Sequence, residues 1–177
     1  MAGGHFIVVR LPLLAARLKE QLSPEEIGAV VGVGDSGTRF ARMIRSDAPT
    51  IDVTTLEFNR DRSKRELHVQ GTTQPNDVLV DDIGVSGTTI EAVRKMAGDV
   101  ALVAIGLLYD SSTTRRRMGI AVRAGVLYTR TGGGTPPINS ISSLRENPER
   151  LDDLASRYFT STNVAQLFKD IIRGEDQ

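Results

Sequence analysis

The segment from Val78 to Ile90 constrains the fold of this chain more than any other stretch of its sequence. It begins with an apolar run, continues with the adjacent acids Asp81 and Asp82, and then becomes rich in Gly, Ser and Thr before a helical pattern. A short apolar run bounded by turn residues is typical of a buried strand. A strand, a glycine-containing loop and a helix in series predict an anion site, because the helix N-terminus directs free N–H groups at the loop.

The rest of the chain alternates between strand-like and helical patterns. Strands are predicted at 27–33, 51–56, 66–69, 77–82, 100–108 and 125–128, and helices at 11–22, 38–44, 90–96, 151–158 and 164–171. Ser23 before Pro24 is a candidate cap for a short helical turn, and the Gly-, Thr- and Pro-rich stretch 130–141 predicts a loop. This alternation predicts the α/β class, a mainly parallel sheet flanked by helices on both faces.

Composition narrows the class of protein. A chain of 177 residues predicts a single domain, 1–177. Lys plus Arg equals Asp plus Glu, 22 each, which argues against a nucleic-acid partner that needs a broad basic face. The chain has no Cys, which excludes thiol chemistry and fits a reducing compartment. The sequence lacks a long apolar segment of the kind that predicts a membrane span or a secretory signal, so we expect a cytoplasmic protein.

The loop after the acid pair carries the groups that a phosphorylated sugar needs. Gly84 and Gly87 allow the backbone to approach a ligand closely, and hydroxyl donors follow at Ser86, Thr88 and Thr89. Two carboxylates at a strand end can bind sugar hydroxyls or hydrated magnesium. The alternative is an ordinary strand-to-helix turn with surface acids and a Ser/Thr cap. The acids and the Ser-Gly-Thr-Thr run in series favour a binding site.

Residues 78–90 resemble the phosphoribosyl pyrophosphate signature of the type I phosphoribosyltransferases: an apolar strand, two acids, three variable residues and Thr/Ser-Gly-x-Thr. The order of elements is similar over roughly residues 11–130. A nucleoside-triphosphate P-loop is excluded because no Lys follows the glycine loop. The resemblance implies a phosphoribosyltransferase-like, Rossmann-like fold with a small variable hood, here residues 130–177.

The resemblance also implies a role for each part of the signature. Asp81 and Asp82 would hold the ribose 2′- and 3′-hydroxyls, directly or through water bound to Mg²⁺. The 5′-phosphate would be wrapped by Val85, Ser86, Gly87, Thr88 and Thr89. Pyrophosphate would bind at the strand-end loop formed by Gly34, Asp35, Ser36 and Gly37, with Arg39 as the local cation.

Two departures from the family pattern concern specificity. Many members carry a basic residue in the pyrophosphate loop, where this chain has Asp35 and Ser36. In 6-oxopurine members an Asp at the position of Val85 handles the proton on N7 of the base. Val85 can neither donate nor accept a proton, which weakens an assignment to hypoxanthine or guanine.

Three further features have both a functional and a structural interpretation. The basic residues Arg60, Arg62, Lys64 and Arg65 fall where the family has a mobile flap, and they are either cations for departing pyrophosphate or a solvated hairpin tip. Arg115–Arg117 is more typical of a solvated face than of a site. Tyr128 is the candidate for stacking on the base, with Tyr109 behind it, although strand-end tyrosines often only pack.

The sequence therefore predicts a magnesium-dependent pentosyltransferase. It would transfer ribose 5-phosphate from phosphoribosyl pyrophosphate to a nitrogenous base, as in purine or pyrimidine salvage, and release pyrophosphate. The expected ligands are phosphoribosyl pyrophosphate and a nucleobase or nucleoside monophosphate, with neither nucleic acid nor membrane as partner, and the family resemblance favours a homodimer. The alternative is a non-catalytic regulator that binds a nucleotide or phosphoribosyl pyrophosphate with the same fold.

Overall fold

A computed structural model describes residues 6–57, 65–109, 112–129 and 138–174. The elements in chain order are β1 (Ile7–Val9), α1 (Leu11–Lys19), α2 (Pro24–Ile27), β2 (Val30–Val33), α3 (Gly34–Ile44), β3 (Thr50–Glu57), β4 (Arg65–Gln70), β5 (Val78–Gly84), α4 (Thr88–Ala97), β6 (Leu102–Tyr109), α5 (Ser112–Met118), β7 (Val122–Tyr128), β8 (Ile138–Ser140), α6 (Ile141–Glu146), α7 (Pro148–Tyr158) and α8 (Thr162–Arg173).

The chain forms two compact units. One consists of Pro12–Gly133, and the other combines Met1–Leu11 with Gly134–Gln177. The interpretation of 1–177 as one domain with residues 130–177 as a hood stays a prediction.

The larger unit is built on a six-stranded sheet with the strand order β4-β3-β2-β5-β6-β7. Every neighbouring pair is parallel except β3 and β4, which are antiparallel with Glu57 opposite Arg65. This is the predicted α/β architecture, a mainly parallel sheet with helices in the connections. The strands β2 and β6 and the first three residues of β5 are apolar and buried, as expected for strands covered on both faces.

Alternate residues of the central strands face different helices. On one face, buried residues of β5 and β6 such as Leu79 and Ile105 cluster with Ile90 of α4 and Met118 of α5. On the other face lies α3, whose Phe40 is fully buried. A Cβ atom added to Gly106 would lie 2.8 Å from Cζ of Phe40, so this ring packs directly on the backbone of β6.

The smaller unit contains β1 paired in parallel with β8, followed by α6, α7 and α8. Its core is formed by Leu144, Leu151, Leu154 and Ile172, with Phe6 and Phe168 packed against it. The Phe6 ring lies 4.9 Å from that of Tyr158 and 5.4 Å from that of Phe168, measured between centroids.

The structure corrects several predicted element boundaries. Residues 34–37, predicted as a loop, form the first turn of α3. No longer loop is needed because the chain changes direction after β2 at a single residue, Gly34, which has φ 60°. The acid pair does not end its strand, since β5 continues to Gly84 and keeps pairing with β6 through Leu108. Ile27 ends α2 rather than beginning a strand.

Other corrections concern elements that the sequence patterns did not predict. Residues 138–140 form a strand and α6 begins at Ile141, so the predicted loop 130–141 is wrong at its C-terminal end. The elements β1, α5 and α6 were also not predicted. The cap at Ser23 is confirmed: its Oγ accepts the Glu26 N–H at 3.3 Å, while the Glu26 carboxylate accepts the Ser23 N–H at 2.7 Å.

Among the described residues, no helix is both long enough and apolar enough to cross a membrane.

We expect Phe40→Ala to lower the free energy of unfolding by about 3–5 kcal/mol, because it removes a fully buried ring and leaves a cavity beside Gly106. Chemical denaturation measures the change. The control is Met43→Ala on the same helix, a residue 38% exposed, whose expected cost is about 1 kcal/mol or less. Equal losses for the two variants would contradict this account of the core.

Candidate functional site

The site is built where α3 begins beside the adjacent strand β5. Ser36 Oγ donates to Asp82 Oδ1 at 3.3 Å, which joins the predicted pyrophosphate segment to the acid pair. Gly37 is buried, and a Cβ atom added to it would lie 2.9 Å from the Val80 carbonyl oxygen and 3.2 Å from Asp81 Oδ1. A side chain at Gly37 would therefore push α3 away from the acids.

The acid pair is oriented by the backbone that follows each carboxylate. Asp81 Oδ1 accepts the Asp82 N–H at 2.9 Å, and Asp82 Oδ1 accepts the Ile83 N–H at the same distance. Burial raises the pKa of Asp81 well above its ordinary value, and the negative charge of Asp82 raises it further. Both residues are half-buried.

The predicted 5′-phosphate segment forms a tight turn at the start of α4. Gly87 has φ 73°, in the left-handed region that favours glycine. The hydroxyl oxygens of Ser86 and Thr88 lie 2.9 Å apart, and the Thr88 N–H points at Ser86 Oγ at 3.4 Å. Thr89, half-buried, continues the first turn of α4. The structure thus brings hydroxyls and a helix N-terminus together directly after the acid pair.

Sequence reasoning missed two residues of α5 that contact this turn. Thr114 Oγ1 donates to the Val85 carbonyl at 2.9 Å. Arg117 Nη1 donates to Thr88 Oγ1 at 3.1 Å and to the Ser86 carbonyl at 3.4 Å. The Arg115–Arg117 run was the only sequence signal, and it does not distinguish a contact of this kind from a solvated face.

An open cleft lies beside the predicted pyrophosphate segment, residues 34–37. Its volume is about 560 Å³, and it is lined by Asp35, Thr38, Arg39, Arg42 and Thr50. Asp35 and Arg39 are exposed, and they belong to the predicted site. Arg42 was missed by sequence reasoning, although its position three residues after Arg39 places both on one face of a helix. The cleft is therefore lined by two cationic side chains of α3, Arg39 and Arg42.

The remaining predicted residues fall elsewhere. Arg60, Arg62 and Lys64 lie outside the described residues, and Arg65 is the first residue of β4. Tyr128 ends β7 at the carboxyl edge of the sheet, with its ring centroid 5.8 Å from that of Tyr109. This packing is compatible with either interpretation of Tyr128.

The two carboxylates of the acid pair fit a magnesium ion whose other ligands come from water and a bound substrate. Within the described ranges, no group of three or more His, Cys, Asp or Glu side chains could hold a metal ion. Mg²⁺ commonly uses one or two carboxylates and completes its shell with water and substrate phosphates. Asp81 and Asp82 would supply those carboxylates without an all-protein cage.

This fold is that of the type I phosphoribosyltransferases, as solved structures establish. The chain resembles adenine phosphoribosyltransferase from Rhodothermus marinus with a TM-score of 0.52 and 19% identity, over 67% of this chain and 79% of that one. It resembles a hypothetical protein from Neisseria gonorrhoeae with bound ppGpp with a TM-score of 0.51 and 18% identity, over 77% of this chain and 89% of that one.

A third similar structure is adenine phosphoribosyltransferase from Thermoanaerobacter pseudethanolicus, with a TM-score of 0.50 and 15% identity over 67% of this chain and 80% of that one. No protein-family model matches the chain, and no curated protein matches it in sequence. The likeness therefore lies in the fold.

We expect Asp81→Asn to stabilise the protein at neutral pH. Because the pKa of Asp81 is raised, its contribution to stability is complete below the ordinary Asp value and is lost as pH rises through the raised one. Asparagine cannot ionise and can still accept the Asp82 N–H. The gain in melting temperature should be largest near neutral pH and should vanish toward about pH 4.

Thermal melts across this pH range test the expectation, with Asp99→Asn as the control because the Asp99 side chain is 84% exposed. A lower melting temperature for Asp81→Asn than for wild type at pH 7 would contradict it.

Proposed function

We propose that this protein transfers the ribose 5-phosphate group of phosphoribosyl pyrophosphate to a nitrogenous base and releases pyrophosphate. The observation that carries the proposal is the junction of α3 with β5, where Ser36 donates to Asp82 and Gly37 packs against Asp81. This junction places a helix start, two carboxylates and a hydroxyl-rich turn within one part of a phosphoribosyltransferase-like fold.

Each part of the site matches one part of the substrate. Asp81 and Asp82 accept hydrogen bonds from the ribose 2′- and 3′-hydroxyls. The residues from Val85 to Thr89 bind the 5′-phosphate through backbone N–H groups and hydroxyls, at the N-terminus of α4. The segment Gly34–Gly37 and Arg39 receive the diphosphate.

Bond cleavage between C1 and the diphosphate builds positive charge on the ribose and negative charge on the leaving group. No protein nucleophile is required, so catalysis rests on positioning and on electrostatic stabilisation of the departing diphosphate. Ser36 and Arg39 supply donors on that side, and we assign the cations Arg60, Arg62, Lys64 and Arg65 to the same task. Mg²⁺ bound by Asp81 and Asp82, through water, would neutralise diphosphate charge when present.

The base is the part of the substrate with the fewest assigned contacts. Tyr128 is the proposed stacking residue; it ends β7, in the same sheet as the acid pair. Val85 offers no proton to a base, which disfavours 6-oxopurines. The expected homodimer and the cytoplasmic location stay predictions.

The test is pyrophosphate release from phosphoribosyl pyrophosphate and Mg²⁺ with a panel of nucleobases. We expect turnover with at least one base and a loss of at least about 100-fold in Asp81→Asn combined with Asp82→Asn, because both ribose-positioning groups are removed. Asp99→Asn, an exposed carboxylate, should keep wild-type activity. Turnover that survives the double substitution would contradict the assigned site.

A second candidate function is a regulator that binds a nucleotide without turnover. The structure from Neisseria gonorrhoeae with bound ppGpp favours it, as does Val85 in place of an acid. If this function is correct, ppGpp or a nucleoside monophosphate should raise the melting temperature, while no base in the panel supports pyrophosphate release. Turnover would rule it out, and absence of binding to any of these ligands would rule out both functions.

A further inference from the structure

The helix α5 contacts the turn at residues 85–89, which we call the phosphate turn, through residues near both ends of the helix. Thr114 Oγ1 donates to the Val85 carbonyl, and a Cβ atom at Gly87 would lie 3.1 Å from the Thr114 carbonyl oxygen and 3.4 Å from Arg117 Cβ. Arg94 of α4 donates to the carbonyl of Met118. These contacts fix the backbone of α5 beside the turn, and with it the Cβ atom from which the Arg117 side chain starts.

The guanidinium of Arg117 restricts how the hydroxyls of the turn can donate. Arginine carries only donors, so Thr88 Oγ1 must accept the bond from Arg117 at 3.1 Å. Ser86 and Thr88 share one hydrogen between their oxygens, which leaves one hydroxyl hydrogen unused. That hydrogen cannot point at the cation. It therefore stays available to another acceptor, whichever of the two hydroxyls carries it.

A hydroxyl that accepts a bond from a cation is also a stronger donor, because hydrogen bonds in a chain polarise one another. Glu91 faces Arg117 from α4, and its pKa is lowered by its bond to Lys95 first and by Arg117 to a smaller degree. Lys95 Nζ lies 2.8 Å from Glu91, so that carboxylate is already paired. Within the described part of the chain, Arg117 forms no ion pair of its own.

We propose that Arg117 is a positioning residue for a phosphomonoester. Through Thr88 and Ser86 it presents one polarised hydroxyl hydrogen to the phosphate, and it supplies positive charge that the turn itself lacks. The proposal rests on the proposed function, since it assigns the 5′-phosphate of that substrate to this turn. Arg117 thereby gives the site a preference for a phosphorylated sugar.

Calorimetric titration with ribose 5-phosphate, which carries only this phosphate, tests the proposal, with Mg²⁺-pyrophosphate as a second ligand. Arg117→Met should weaken ribose 5-phosphate binding by about 10- to 100-fold, the range expected for loss of a charged hydrogen-bond donor, and leave pyrophosphate binding within about twofold. Arg117→Lys should recover part of the loss. Arg116→Met, which removes the neighbouring exposed cation, should bind both ligands as wild type does.

The relay through hydroxyls is tested by Ser86→Ala alone and combined with Arg117→Met. We expect non-additive losses, because both substitutions interrupt one chain of hydrogen bonds. Additive losses would overturn the relay. Unchanged ribose 5-phosphate binding in Arg117→Met, or equal losses for both ligands, would overturn the role of Arg117. If wild type binds neither ribose 5-phosphate nor phosphoribosyl pyrophosphate, the proposed function itself fails.

Discussion

The close approach of α3 to β5 is the constraint on which the candidate site depends. Gly37 leaves no room for a side chain between the helix and the Val80 carbonyl, and this contact sets Ser36 beside Asp82. The position of α3 is determined largely by the core, where Phe40 packs on Gly106. The geometry at the acids is therefore tied to apolar packing one turn further along the same face of the helix, which needs no ligand to form.

The acid pair, in contrast, lowers the stability that this packing provides. Two adjacent carboxylates, one of them with a raised pKa, place charge where burial disfavours it. Backbone N–H donors from Asp82 and Ile83 offset part of this cost, and the apolar strands on either side of β5 supply the remaining stability. Adjacent carboxylates with a perturbed pKa are typical of functional sites, where a bound cation or ligand would balance their negative charge.

The sequence predicted the parts of this protein whose signals are local. The run 78–90 contains its strand, acids, turn and helix start in consecutive residues, and the cap at Ser23 needs only four positions. Boundaries were less accurate where pairing with a neighbour decided them, as when β6 extends β5 past Asp82. The strands β1 and β8 have three residues each and come from opposite ends of the chain, so neither has a recognisable pattern. The contact of Arg117 with Thr88 spans 29 residues and leaves no periodic signal.

The attachment of α5 to the turn at residues 85–89 has a consequence for motion. Thr114 and Arg117 bond to carbonyl and hydroxyl groups on the turn, while Arg94 links α4 to the end of α5. The turn cannot leave its place without breaking contacts to a second helix, so the two segments form one cooperative unit of local unfolding. Their amide hydrogens should report a common free energy of opening in hydrogen exchange, and a ligand seated in the turn would slow exchange in α5, which it need not touch.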